Sequence, residues 1–246
     1  MTAQWDTVTI VGVGLIGGSA GLALAKRGAA KKIIGVGRSD SSLEAAKELG
    51  AISEGTTNIR EGVANADFVL VATRVSVIGN QLEEIDTCVR PGTPITDAGS
   101  TKQSIVDRWE QSRSSRKGRF VGSHPLAGSH KRGPQAADPA LFEDKLTVLT
   151  PVESTPQSDT QSISAFWQLI GAQVCHLSPS EHDRLLASAS HAPHIVAAAL
   201  AAATPREAHR FTAGGWRDTT RIAAGDPDLW ADILLDNAKA VTAQIE

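Results

Sequence analysis

The stretch Val8-Thr-Ile-Val-Gly-Val-Gly-Leu-Ile-Gly-Gly-Ser-Ala-Gly21 limits the possible folds more than any other part of the chain. A β-branched run over residues 8–13 breaks into Gly12, Gly14 and Gly17, and a helical pattern runs from Leu15 to Gly28. In this G-x-G-x-x-G arrangement Gly12 makes the tight turn out of the strand, and Gly14 lets the backbone approach a pyrophosphate. Gly17 lets the helix lie close to the strand. The helix start, with Leu15 and Ile16, presents unpaired N–H groups and a partial positive charge to phosphate oxygens. Such a motif alone is weak. Here it follows a strand, opens a helix and precedes a second strand at 32–36, so a dinucleotide site is expected.

Strand-like and helix-like segments alternate beyond this unit. Ser41-Ser42-Leu43-Glu44 has capping-box spacing and opens a helix to Gly50. Phe68-Val-Leu-Val-Ala72 is a continuous apolar run suited to a strand buried on both faces. A helix at 78–86, a Pro91-Gly92 turn, a strand at 93–97 and a helix at 102–111 follow. After a polar, basic loop at 112–119 come strands at 120–123, 145–150 and 172–177, with a helix at 158–170. Repeated βα units imply a Rossmann-like, mostly parallel sheet with helices on both faces.

The character changes near Leu177-Ser178-Pro179, and no strand-like run follows Ser180. Residues 187–203 are alanine-rich and helical, with a kink expected at Pro193. Asp226 and Pro227 are the N-cap and first residue of a helix expected to run to the C-terminus. The chain thus divides into a nucleotide-binding α/β domain, 1–178, and an all-helical domain, 179–246. The second is too small to bury much core alone, so it should pack on the first or on a partner subunit.

Composition restricts the partners. With 246 residues, 41% hydrophobic and 21% charged, the chain has the make-up of a soluble globular protein with a substantial core. A net charge of −3 without a basic block argues for neither nucleic acid nor an anionic membrane surface. The first residues carry no cationic leader, and no apolar run is expected to reach the roughly 18 residues that span a bilayer. Cys88 and Cys175 stand in unrelated contexts, which fits a reducing cytoplasm and no structural disulfide.

The second strand bears on the choice of dinucleotide. Where NAD is bound, an acidic residue at the end of this strand meets the ribose 2′-hydroxyl. Here the strand ends Ile34-Gly35-Val36-Gly37-Arg38-Ser39, with glycine at the acidic position. A guanidinium and a hydroxyl suit a 2′-phosphate, so NADP is favoured, with NAD possible because Asp40 could reach a ribose. Thr73, after the strand at 68–72, completes the cofactor-side candidates.

Four stretches carry polar residues that a plain scaffold does not require. They are Asp97-Ala-Gly-Ser-Thr-Lys102, Gly122-Ser-His-Pro-Leu-Ala-Gly-Ser-His130, Glu181-His182-Asp183 with Ser190-His-Ala-Pro-His194, and residues 214–230. The first two follow strands, where ligands of an open parallel sheet sit. His191 and His194 have metal-ligand spacing, but no firm third ligand accompanies them, and no metal is expected. Arg217 and Arg221 could also form a surface cluster with Asp218.

Together these stretches resemble the prephenate/arogenate dehydrogenase family of tyrosine biosynthesis, from Val8 to Trp230. The specific parts are Ser123-His-Pro-Leu-Ala-Gly128, Ser190-His-Ala-Pro-His194 and Gly214-Gly-Trp-Arg-Asp-Thr-Thr-Arg-Ile-Ala223. The resemblance implies oxidative decarboxylation of a cyclohexadienol, with hydride passing to a nicotinamide. A neutral histidine suits the hydroxyl proton, with an ordinary pKa of about 6.5. By resemblance His124 takes that role, and Ser100 holds the same hydroxyl and helps to orient His124. Arg221 binds a substrate carboxylate, and Ser129, His130, His182, His191 and His194 line the polar wall. Trp230 closes the apolar side near the ring.

The sequence departs from the family at three places. Many members have an acidic, gating residue at His130, and proline is usual at Arg74 after the fourth strand. Relatives also continue past Glu246, in the region that forms their dimer interface; a homodimer is the expected assembly. Two other readings are another dehydrogenase of the β-hydroxyacid type and a non-catalytic NADP-binding sensor. The former usually places a catalytic lysine in the second domain, where this chain has only Lys239.

Overall fold

In the computed structural model, which describes residues 4–111, 116–129 and 131–246, the glycine stretch joins the first strand to the first helix. The strands are β1 (Trp5–Val11), β2 (Ala30–Val36), β3 (Glu54–Thr56), β4 (Phe68–Val71), β5 (Pro94–Asp97), β6 (Arg119–Pro125), β7 (Leu146–Thr150) and β8 (Gln173–His176). They form one sheet in the order β3-β2-β1-β4-β5-β6-β7-β8. Every pair is parallel except β6 with β7. The chain reverses its direction of travel across the sheet between β1 and β4, the switch point beyond which an open sheet binds its ligand. Val11 is level with Val36 and Val71, and Val71 with Asp97, so the loops after four strands emerge along one edge.

Helices cover both faces: α1 (Leu15–Lys26), α2 (Asp40–Glu48), α3 (Ile59–Val63), α4 (Val75–Cys88), α5 (Gln103–Gln111) and α6 (Gln157–Leu169). The run expected to be buried on both sides is β4. Phe68 and Leu70 enter a cluster with Trp5, Ile10 and Phe166, while Val69 and Val71 enter another with Ile78, Ile85 and Ile95. Phe68 stacks on Phe166 with ring centroids 4.3 Å apart. The short β3 and α3 lie in a segment for which neither pattern was expected. The helix expected at Ser41 begins earlier, because Ser39 is extended and its Oγ accepts from Ser42 N.

After β8 the described chain is helical: α7 (Pro179–Leu186), α8 (Ala192–Ala203), α9 (Gly214–Thr220), α10 (Pro227–Asp236) and α11 (Ala238–Ile245). The departure expected at Pro193 takes the form of a π turn, Ala187–His191, directly before α8. A π turn widens the ladder where proline supplies no N–H. The helical run Pro179–Ala203 reaches a mean hydropathy of 1.4, long and apolar enough to cross a membrane by length and composition. This differs from the expectation that no apolar run reaches that length, because histidine, serine and aspartate punctuate the run and hide its mean hydropathy. His182, Asp183 and His191 in this run are buried and hydrogen-bonded. The final helix is not continuous as expected: α10 ends at Asn237, and α11 starts after it.

Helix α10 is fastened to the sheet domain. Arg74, at the start of α4, donates through Nε to Asp232 Oδ2 at 2.7 Å and through Nη2 to the Asp228 carbonyl at 2.6 Å. Ser76 Oγ also donates to Asp232, and Ser104 Oγ donates to Asp236. A proline at position 74 could make neither arginine contact.

Candidate active site

The glycine loop has the geometry its spacing requires. Gly12 has φ of 96°, a region open to glycine, and a Cβ there would lie 2.6 Å from the Ala72 carbonyl oxygen. A Cβ on Gly17 would lie 1.9 Å from the Gly12 carbonyl oxygen, so only glycine lets α1 approach β1 this closely. Gly14 differs, because nothing lies within 4 Å of where its Cβ would stand. That open space beside the N-terminus of α1 fits the close approach of a dinucleotide pyrophosphate. Leu15 and Ile16 form the first turn of the helix.

At the other candidate positions on this edge, Arg38 and Ser39 are exposed beyond β2. Ser39 Oγ lies 3.2 Å from Ser41 Oγ and donates to Ser42 Oγ at 3.1 Å, gathering three hydroxyls at the start of α2. Thr73, beyond β4, donates to Gln81 Oε1.

Strand β6 carries His124 beyond a buried polar network. Lys102 and Asp97, both buried, pair with each other, and Lys102 Nζ also donates to the Ser123 carbonyl at 2.8 Å. Asp97 Oδ1 accepts from Ser123 N at 3.0 Å, and Ser123 Oγ accepts from Trp167 Nε1 at 2.9 Å. Burial pulls the Lys102 amine below its ordinary value, while the Asp97 carboxylate opposes the fall. Ser123 is therefore held at both main-chain groups and its side chain, which fixes the backbone beneath His124.

His124 is half-buried, and its Nδ1 lies 2.9 Å from Nε2 of the fully buried His182. His182 Nδ1 in turn lies 2.7 Å from Asp183 Oδ1. Asp183 also accepts the backbone N–H groups of Lys102, at 2.8 Å, and Gln103, at 2.9 Å, and so caps α5 from a distant part of the chain. Burial works against charge on Asp183, but these hydrogen bonds outweigh it and hold its carboxyl below the usual range. A carboxylate only accepts, so His182 carries its proton on Nδ1. With both rings neutral, His182 Nε2 accepts from His124 Nδ1–H, leaving His124 Nε2 with a free lone pair. Burial pushes the His124 imidazole well below the ordinary histidine range, and His182, Lys102 and His191 add to the fall. The arrangement makes His124 Nε2 a neutral proton acceptor.

His194 and Trp230 form a second part of the site. Their rings stack at a centroid distance of 3.6 Å and an angle of 9°, and His191 meets Trp230 edge-on at 6.2 Å. Gly225 allows this packing, since a Cβ there would lie 2.5 Å from Trp230 Nε1. His194 Nδ1 is buried and has no hydrogen-bond partner among the described residues. Burial lowers the His194 pKa and brings that of His191 down to about 4.

Other candidates stand apart. Ser100 follows β5 and makes no direct hydrogen bond to His124, whose ring meets His182. Ser129 is exposed and accepts from Lys131 N, and His130 lies outside the described residues. Arg221 is exposed and begins a 3-10 turn, Arg221–Ala224, that packs on α8; it forms no ion pair among the described residues. Nor do three histidine, cysteine or acidic residues group there to hold a metal. Two residues received no role from sequence reasoning, Asp183 although its stretch was singled out. Asp183 could have been found from its place beside His182, whereas Asn237 had only a poor helix former in a helical run as a signal.

Two family models match: the nucleotide-binding domain of prephenate dehydrogenase over residues 20–176 and its dimerization domain over 178–246. A prephenate dehydrogenase of Bacillus subtilis is 41% identical over 96% of the chain, which spans 66% of that protein's length. The structure of prephenate dehydrogenase from Aquifex aeolicus, in complex with hydroxyphenyl propionate and NAD+, has a TM-score of 0.88 and 34% identity, covering 98% of this chain and 85% of that one. Synechocystis arogenate dehydrogenase has a TM-score of 0.82 and 30% identity, covering 97% and 86%. By these matches, extending over both the sheet and the helices that carry His182 and Asn237, the chain belongs to the prephenate dehydrogenase family.

Proposed function

We propose that this chain is an NAD(P)-dependent dehydrogenase that oxidatively decarboxylates prephenate or arogenate. The observation that carries the reading is the His124–His182–Asp183 line at the sheet edge where the glycine loop also opens. Gly12, Gly14, Leu15, Ile16, Gly17 and Thr73 would hold the dinucleotide, whose nicotinamide supplies the hydride acceptor. His124 Nε2 takes the proton of the ring hydroxyl as the carbinol carbon is oxidised. When the bond to the ring carboxylate breaks and carbon dioxide leaves, the oxygen takes the proton back and the ring becomes a phenol. Ser100 holds the hydroxyl, and Arg221 clamps a carboxylate through its planar fork. Ser129, His191 and His194 would form the polar wall, with His182 behind His124 rather than on it, and Trp230 would cover the ring.

NADP is the favoured cofactor. Gly37 puts no carboxylate at the end of β2, and Arg38 stands beside the hydroxyls of Ser39, Ser41 and Ser42. With a division at about residue 178, the first domain would hold the cofactor and the second the dimer contact. Exposed Val196, Phe211 and Leu235 would be covered by a second copy, giving a homodimer in the cytoplasm.

The test is turnover of each substrate with each cofactor. The expected result is formation of reduced nicotinamide with at least one cyclohexadienol, with NADP ahead of NAD. Folded protein that binds cofactor and turns over neither substrate would overturn the reading.

A further inference from the structure

Asn237 interrupts the helical run at the join of α10 and α11, with φ of −100° and ψ of 23°. It is buried, and its side chain faces away from both helices toward two other elements. Asn237 Nδ2 donates to the Asp183 main-chain carbonyl in α7 at 2.8 Å and to His191 Nδ1 in the π turn at 3.0 Å. Both amide protons are thereby used. A side chain at a helix break thus touches the residue that anchors the His124–His182 pair and the histidine that meets Trp230.

The chemistry of the imidazole follows. A ring whose Nδ1 accepts an N–H, and which is neutral, carries its proton on Nε2. His191 is neutral at ordinary pH, because burial brings its pKa to about 4. The charged and titratable groups facing it are Asp183, which favours its protonation, and His182 and His194, which oppose it. We infer that Asn237 is a positioning residue that holds His191 as an Nε2–H donor toward the substrate and fixes it, through Asp183, relative to His124. The substrate side of this inference rests on the function proposed above.

Nitrogen NMR of ring-labelled histidine tests it, with the His191 signal assigned by its loss in His191→Gln. In the unaltered protein His191 should show a bare Nδ1 and a protonated Nε2, without titrating between about pH 5 and 8. Asn237→Asp is nearly isosteric, and its carboxylate would instead accept from a protonated Nδ1. In that variant the His191 signal should reverse its tautomer or titrate within the same range. Its kcat/KM should fall about tenfold or more with cofactor affinity unchanged. A protonated Nδ1 in the unaltered protein overturns the inference without any variant. So does an Asn237→Asp spectrum identical to the original at His191. Failure to turn over either substrate, with the His191 tautomer as expected, would sink only the proposed reaction.

Discussion

His124 Nδ1 lies 2.9 Å from His182 Nε2 with the two rings 67° apart, so the inner nitrogen of the outer ring is committed to the inner ring. His124→Asn removes the free Nε2 lone pair that would take the hydroxyl proton. Turnover should fall by about 10²-fold or more, with cofactor dissociation constants unchanged. Near-full turnover in that variant would remove His124 from the chemistry.

Asp183→Asn should be nearly as damaging, although residue 183 is not placed against substrate. With its NH2 in the place of Oδ1, donating to His182 Nδ1, the amide oxygen in the place of Oδ2 would keep the Gln103 N–H, and the Lys102 N–H would lose its acceptor. His182 would then carry its proton on Nε2 and donate to His124, turning His124 Nε2 into a donor. A fall in kcat of about 10² to 10⁴ is expected by analogy with other misoriented histidines. Normal kcat in folded Asp183→Asn would show that the tautomer does not matter.

Arg221 and Arg217 separate by kinetics. Arg221→Ala should raise KM for the substrate about tenfold or more with a smaller change in kcat, because a charge-assisted contact is lost. Arg217→Ala should change KM little. The reverse pattern would move the carboxylate clamp to Arg217.

Stability should fall in mild acid. Unfolding returns His191 from about 4 to its ordinary 6.5, so between these values the unfolded chain binds a proton that the folded chain refuses. Lowering the pH through that window therefore favours unfolding, by up to about 3 kcal/mol from this ring. His124 and His194, also lowered by burial, act in the same direction. Thermal melts should fall more steeply with acid for the unaltered protein than for His191→Gln. Parallel pH dependences would contradict this.

Much of this architecture was legible in local sequence. The glycine spacing announced β1, its turn and α1, and the apolar run at Phe68 announced a strand buried on both faces. Asp226 caps α10 as its type suggests, accepting from Asp228 N at 3.0 Å. What could not be read depends on contacts between distant segments. Asp183 matters because its carboxylate reaches N–H groups 80 and 81 residues away. Asn237 matters because a break in one helix turns its amide toward another. The contact of His124 with His182 was hidden for the same reason: only the folded chain brings α7 to the end of β6.

The proposed reaction turns on direct transfer of hydride from the carbinol carbon, with a proton held at His124. Its sharpest test uses prephenate, and separately arogenate, carrying deuterium at that carbon. The label should appear on the reduced nicotinamide in step with release of carbon dioxide, and His124→Asn should suppress both together. Carbon dioxide released without labelled reduced cofactor would contradict it.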